Sequence, residues 1–303
     1  NEWDKQQGRG GHGIWLHGTP SDTFARPPKA SDGCGVLSNR DLDAIGKEAY
    51  LFQKLVRTGF GTNNVDHCTR LCHAASVTAL LEGIGSGSVT APFMAAEQAE
   101  VILVIGARPA ENHPVAATFI KNAVARGSRL IVADPRGNEL DRYADEVLRF
   151  RPGRDVALLN AMIHVVIEEG LFDADFIAAR VDGFDAVRAH VAAHSPEAMA
   201  PICGVSAEQI RRAARLYGQS RASLILWGMG ISQSVHGTDN ARALITLALI
   251  CGNVGKPGAG LHPLRGQNNV QGASDAGLIP MMFSDYHRTG EAAYRTQREA
   301  LWD

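Results

Sequence analysis

Three short, unbroken apolar runs stand out along this chain, each closed by residues that stop a strand: Val101 to Ile105 by Gly106, Leu130 to Ala133 by Asp134-Pro135-Arg136, and Ser223 to Trp227 by Gly228-Met229-Gly230. Apolar runs without alternation suit strands buried on both faces, as in a parallel sheet. Between and around them, apolar positions recur at three- and four-residue spacing. This predicts helices over about 115–125, 156–169, 184–193 and 207–217, with two more at 47–57 and 240–251. Strand, loop and helix in repeated alternation predict an α/β fold, a mostly parallel, doubly wound sheet between two helical layers. Residues 1–45 carry Gly- and Pro-rich stretches such as GRGGHG and ARPPKA without a sustained period, and read as irregular. The stretch 252–272 reads as too polar and too broken for the core. No internal repeat of solenoid period is present.

In open parallel sheets ligands sit beyond the carboxyl ends of the strands, so Gly106, Asp134 and Gly228 with their loops are predicted to line one edge together. An acid at the end of the second strand suits a nucleotide sugar or base, or else belongs to a plain strand-ending turn. The first loop reads GARPAENHP and not G-x-G-x-x-G, which disfavours an ordinary NAD site.

Composition narrows the class. The 303 residues are 45% hydrophobic and 20% charged with a formal net charge of −2, so no basic excess points to nucleic acid or an anionic membrane. No apolar run approaches the ~20 residues of a membrane span. Five scattered cysteines (Cys34, Cys68, Cys72, Cys203, Cys251) argue against a disulfide framework and for a reducing compartment, the cytoplasm by default. The chain opens on Asn1 and stops at Leu301-Trp302-Asp303 within a helical pattern, so both ends read as cuts in a longer protein.

The densest chemistry lies in Thr62 to His73, TNNVDHCTRLCH. Cys68 and Cys72 stand four apart and share one face if the segment is helical, with His67 and His73 beside them. Adjacent residues point apart, so these four cannot converge as a tetrahedral zinc site without partners from elsewhere. One thiolate on a soft metal with a neighbouring histidine as proton handler fits better. The alternative is that both cysteines are buried small hydrophobes and His73 a satisfied cap. In LRGQNNVQG (Leu264 to Gly272) Arg265 is a candidate for gripping a small carboxylate through two parallel hydrogen bonds, or is a surface loop arginine.

These blocks, together with IGARPAENHP, VADPR, LNAMIHVVIEEGLFD, WGMGISQ, HGTDN and GNVGKPGAG, resemble the large subunit of molybdenum- or tungsten-dependent formate dehydrogenases, within the bis-molybdopterin guanine dinucleotide oxidoreductases. The resemblance runs from about Tyr50 to Met282 and is close to gap-free. By motif position it implies Cys72 as the protein ligand to the metal, His73 as the adjacent acid/base residue and Arg265 as the holder of the formate carboxylate. The pterin dinucleotide would touch Gly106, Glu111, Asn112, Asp134, Arg136, Gly153, Asp155, Gly228, Met229, Gln233 and Gln267. The implied reaction oxidises formate to carbon dioxide. Two electrons pass to the metal centre and on to an acceptor such as NAD, and the hydrogen leaves as hydride or as a proton; both routes stay open. Implied partners are electron-transfer subunits of iron-sulfur and flavin/NAD type.

The chain also departs from that family. It has no C-x-x-C-x-x-x-C run for an iron-sulfur cluster, which the resemblance then puts in a missing N-terminal region, and the lysine that links cluster to pterin cannot be placed. The carboxyl-terminal barrel is absent, Ala74-Ala75 follows His73 where many relatives have Gly-Pro, and residues 1–45 match poorly. The chain is therefore expected to be a middle fragment, inactive alone. Its expected organisation is an irregular segment 1–45, a first piece of a discontinuous central domain at 46–67, a three-layer Rossmann-like α/β domain at 68–267 that binds the dinucleotide, and a second piece of the central domain at 268–303. Two rivals remain: another bis-molybdopterin oxidoreductase with a Cys ligand, and a degenerate module that kept the fold without the cofactor.

Overall fold

The computed structural model describes residues 39–267 and 269–302. In chain order its helices begin with α1 (Asn39–Gly59), α2 (Ala74–Ile84), α3 (Pro109–Asn112), α4 (Pro114–Ala125) and α5 (Asp155–Glu168). They continue with α6 (Ala174–Arg180), α7 (Phe184–Val191), α8 (Pro196–Cys203), α9 (Ala207–Gly218) and α10 (Met229–Ser232). The last are α11 (Gly237–Ile250), α12 (Val270–Asp275) and α13 (Ala292–Trp302). Five strands, β1 (Val101–Ile105), β2 (Arg129–Ala133), β3 (Glu146–Leu148), β4 (Ser223–Trp227) and β5 (Gly260–Pro263), form one sheet in the order β3-β2-β1-β4-β5. Every pairing is parallel. No helix among the described residues is long and apolar enough to cross a membrane.

The chain divides into two compact units. One is His73–Leu264; the other comprises the residues up to Cys72 and from Arg265 onward. The first holds the whole sheet. Val101, Leu103 and Ile105 point to one face, where Leu158, Ala214 and Leu244 pack, and Ile102 and Val104 point to the other, against Phe93, Phe119 and Ile120. Period-two alternation along a strand thus serves two cores, which is why the strands read as continuous apolar runs. The covering helices obey their own period: α9 buries Ile210, Ala213, Ala214 and Tyr217. Side chains fix several helix starts, as Ser195, Ser206 and Asp173 accept hydrogen bonds from the backbone N–H groups of Ala198, Gln209 and Phe176.

Three expectations need correction. The stretch 252–272 contains β5, all four residues of which are buried. Polar groups in and beside this strand are bonded: His262 Nδ1 lies 2.9 Å from the Ala91 carbonyl, and Asn253 Oδ1 accepts from Ser223 N–H at 3.1 Å. Burial of polar groups is tolerated when they are bonded, so the composition misled. The three-residue β3 was not foreseen. Residues 39–45, expected to be irregular, are helical in α1, while residues 1–38 lie outside the described residues. Good helix formers around Gly46 outweigh that one glycine.

The sheet-bearing unit lies inside the expected 68–267. The 3-10 turn Cys68–Arg70 packs on α12, which also packs on α1, so these belong to the other unit. There Arg57 is buried. Its Nη2 donates to the carbonyls of Gly277, Ile279 and Met282 at 2.7–3.2 Å, its Nη1 to Asn63 Oδ1 at 2.9 Å, and the guanidinium sits 4.7 Å from the Phe283 ring centroid.

Candidate active site

Because all strands run parallel, their carboxyl ends share one edge. There the chain order reverses between β1 and β4, which leaves the crevice where ligands of such sheets sit. Gly106 and Gly228 follow those two strands, and the contact between their loops explains both glycines. A Cβ on Gly228 would fall 2.9 Å from the Ala107 Cβ, and one on Gly230 2.8 Å from the Gly106 Cα. Gly106 has φ +56°, and its Cβ would meet the Ile231 backbone nitrogen at 2.9 Å. Gly153 has φ +74° and faces open space.

Asp134 and Asp155 are buried at this same edge. Asp134 Oδ1 accepts from Arg136 N–H at 2.8 Å. Burial still raises its carboxyl above the ordinary range, against the opposing pull of that bond and of Arg136, Arg149 and Arg108. Asp155 opens α5 and is pushed up to about 6, by burial first and by the Asp134 charge beside it. Two buried acceptors side by side suit a ligand with a row of N–H donors. The cost is visible in pH. The unfolded chain ionises at Asp155 near 3.8 and the folded chain near 6, so across that interval the unfolded state holds fewer protons. Stability therefore falls as pH rises from 3.8 to about 6, by roughly 3 kcal/mol, and is flat above. Asp155→Asn should unfold at a higher temperature than the parent at neutral pH and lose most of that advantage near pH 4. Equal melting temperatures at neutral pH would show that the carboxylate carries no such cost.

Of the other predicted contacts, Glu111 and Asn112 end α3, Met229 opens α10, and Arg136, Gly153 and Gln233 lie on connecting segments. Glu111, Asn112, Arg136, Gly153 and Gln233 are exposed and Met229 is half-buried, while Gln267 is exposed in the other unit. Glu111 is ion-paired to Arg108. Asn138 went unnoticed in the sequence. It caps the 3-10 helix Glu139–Tyr143 in a box with Asp141, and its Nδ2 donates to the Ala107 carbonyl at 2.8 Å, tying the β1 loop to the β2 loop. The N-x-x-D spacing was the available signal.

His73 is fully buried in the sheet-bearing unit. Its Nε2 lies 2.8 Å from the Leu264 carbonyl, which has no hydrogen, so Nε2 carries the proton and donates. Nδ1 is then an acceptor, 3.0 Å from Ser232 Oγ and 3.3 Å from Ser76 Oγ. The order continues backward: Ser76 and Ser232 hydroxyls are 2.6 Å apart, and Trp227 Nε1 donates to Ser76 Oγ at 2.8 Å. Both ring nitrogens are thus bonded to protein groups.

The second unit brings Cys72 and Arg265 together. Cys72 N–H donates to the Cys68 carbonyl at 3.0 Å, so the two cysteines stand one helical turn apart, although continuous helix begins only at Ala74. Burial and then the adjacent Cys68 push the half-buried Cys72 thiol up, while the Gly266 backbone N–H and the Arg265 charge pull it down. Arg265 is buried, and its charge also lowers the pKa of His67 and of Tyr286. His67 Nε2 lies 2.9 Å from Ser274 Oγ. Tyr286 has φ +61°, a left-handed conformation that costs a bulky residue on the order of 1–3 kcal/mol. Burial and then Asp275 raise its hydroxyl well above the ordinary phenol range. Among the described residues no three His, Cys, Asp or Glu side chains gather as a metal site, so a four-ligand site within Thr62–His73 is not formed.

The model of the molybdopterin oxidoreductase family matches residues 44–299. A second model, for the L,D-transpeptidase catalytic domain, matches residues 1–52, most of which lie outside the described residues. Formate dehydrogenase H of Escherichia coli is 43% identical over 84% of this chain and 35% of its own length. The F420-dependent formate dehydrogenase subunit alpha of Methanocaldococcus jannaschii is 42% identical over 84% of this chain and 37% of its own. The chain therefore spans about a third of the length of these relatives. Among solved structures, acetylene hydratase from Pelobacter acetylenicus superposes with a TM-score of 0.54 at 21% identity, over 80% of this chain and 36% of that one, a likeness of fold. With a family match over most of its length and motifs in family order, the chain belongs to the molybdopterin oxidoreductases.

Proposed function

We propose that this chain is the cofactor-holding part of a formate dehydrogenase catalytic subunit. The observation that supports the reading is the buried Arg265, whose positive charge acts on the Cys72 thiol; a guanidinium there would suit a carboxylate, and a thiolate a soft metal. The residues fit a metal-bearing pterin dinucleotide. Cys72 would offer such a metal a single thiolate. The buried acceptors Asp134 and Asp155 match the N–H edge of a guanine, and Gly153 leaves room at the same edge.

When bound, the molybdenum or tungsten pterin supplies a sink for two electrons. The rest falls to the protein. Cys72 would hold the metal as a thiolate, a form that Arg265 and the Gly266 N–H favour against burial and Cys68, which raise its pKa. Arg265 fixes the formate carboxylate, since a planar fork positions a small anion in a way that a lysine ammonium does not. The acid/base role implied for His73 requires it to release Ser232 or Leu264 first. Electrons would leave through iron-sulfur and flavin subunits to an acceptor such as NAD, and the cysteine usage favours a cytoplasmic setting.

The test is elemental analysis and formate-dependent dye reduction of the purified holoenzyme, wild type and Arg265→Lys. Molybdenum or tungsten should be present, and the lysine variant should raise the formate KM by roughly 10- to 100-fold, about the worth of a lost charged hydrogen bond. Absence of both metals, or an unchanged KM, sinks the assignment. Metal without formate turnover would point to another small substrate.

A further inference from the structure

We propose that His67 is the group through which the proton of formate leaves for solvent, with Ser274 as the step before it. This rests on the formate reading above and extends it to a residue with no role so far. In balance, formate loses two electrons and one proton as carbon dioxide forms. The bound cofactor would take up the electrons, and the proton needs its own way out.

His67 has the two-ended form of a relay. Its Nε2 faces the buried Ser274 hydroxyl at 2.9 Å, and Thr69 Oγ1 lies 3.4 Å from that hydroxyl. The ring is only half-buried, and among the described residues its Nδ1 makes no hydrogen bond. Ser274 Oγ donates to the Val270 carbonyl at 3.3 Å; a proton reaching it frees the hydroxyl to turn and donate to His67 Nε2, and Nδ1 releases its own proton to water. The inner end lies near the chemistry, because Arg265 bears electrostatically on Cys72, on His67 and on Tyr286, and Tyr286 is influenced by Ser274 as well. The surroundings are polar. Asn269 caps α12, and Gln53 lies on α1, which packs against α12; both side-chain amides are buried without a hydrogen-bond partner among the described residues, the usual setting of internal water. By contrast, His73 is fully buried and bonded at both nitrogens.

The charges around His67 keep it ready to accept. Burial lowers its pKa, the Asp66 carboxylate opposes this, and Arg265 and Arg70 lower it further. Asp66 is itself held by Arg70 at 2.6 Å. The imidazole is therefore neutral near pH 7 and takes a proton only transiently.

The experiment compares wild-type, His67→Gln and Ser274→Ala holoenzymes of matched metal content. Both variants should lose roughly tenfold in kcat for formate-dependent dye reduction with KM unchanged. They should show an enlarged solvent deuterium isotope effect, and His67→Gln should recover rate on addition of free imidazole. Independently of turnover, diethyl pyrocarbonate labelling read by peptide mass spectrometry should modify His67 in the folded protein, faster in Ser274→Ala, and spare His73. A His67→Gln enzyme with the parental rate and isotope effect, a loss that imidazole does not restore, or a silent Ser274→Ala overturns the relay. A wild-type holoenzyme without formate turnover instead overturns the formate reading, and protection of His67 from labelling counts against the relay whatever the substrate.

Discussion

Cys72→Ser should cut formate-dependent dye reduction of the holoenzyme by roughly 10³-fold or more, the scale on which loss of a catalytic unit registers. A hydroxyl is a harder donor than a thiolate and ionises far less readily, so the change removes the proposed soft ligand. It also wastes the devices that favour the thiolate, the Arg265 charge and the Gly266 N–H. On the proposed reading the cofactor would supply the metal's other ligands, so metal content should fall much less than activity. Cys68→Ser supplies the contrast. Cys68 is the neighbour that pushes the Cys72 thiol up, so its replacement leaves the ligand in place and should change the rate only a few-fold. Dye reduction at saturating formate, beside metal analysis of each variant, decides the matter. Activity of Cys72→Ser within tenfold of the parent would remove Cys72 from the metal.

Gly106→Ala should be the most damaging small substitution at the sheet edge, costing about 2–5 kcal/mol. Two independent penalties add there. The backbone at φ +56° is left-handed, which costs an L side chain about 1–2 kcal/mol. The new methyl would also meet the Ile231 nitrogen at 2.9 Å, backbone that cannot swing aside, and overpacking of this kind costs about 1–3 kcal/mol. Gly153→Ala separates the terms. At φ +74° it shares the strain, yet nothing stands within 4 Å, so it should lose only about 1–2 kcal/mol of stability. Thermal unfolding of the two variants tests the difference, with a drop of roughly 5–15 °C expected for Gly106→Ala. Equal drops would mean that the loops separate to admit a methyl. Gly153→Ala should instead show itself in cofactor content, since its methyl would project into open space on the proposed binding edge.

How much of this was legible in the sequence depended on the kind of signal. VILVI and SLILW announced buried parallel strands because a strand covered on both faces has no reason to alternate. With the run Leu130 to Ala133, that placed Gly106, Asp134 and Gly228 on one edge. β5 stayed hidden because Gly260, His262 and Pro263 are poor strand formers, and what buries them is pairing with β4 and a contact to Ala91, neither of which is local. The cysteine–histidine cluster was visible, but its division was not. Spacing put His67 and His73 on an equal footing. Only the fold shows one ring locked between Leu264 and Ser232 and the other half-open against Ser274. Asn138 and Tyr286 illustrate the same limit, since a long-range hydrogen bond and a left-handed tyrosine leave little trace in the order of residues.

His73 and Leu264 are the first and last residues of the sheet-bearing unit, and a hydrogen bond of 2.8 Å joins them. The unit thus begins and ends at one point. A stretch of chain with coincident ends can be lengthened, trimmed or exchanged within its host gene without displacing the segments it interrupts, which is the condition under which inserted domains are tolerated. This gives a lineage a way to evolve by cassette: the loops of the sheet edge can diversify as a block, while Cys72 and Arg265, immediately outside the two junctions, stay in register with each other.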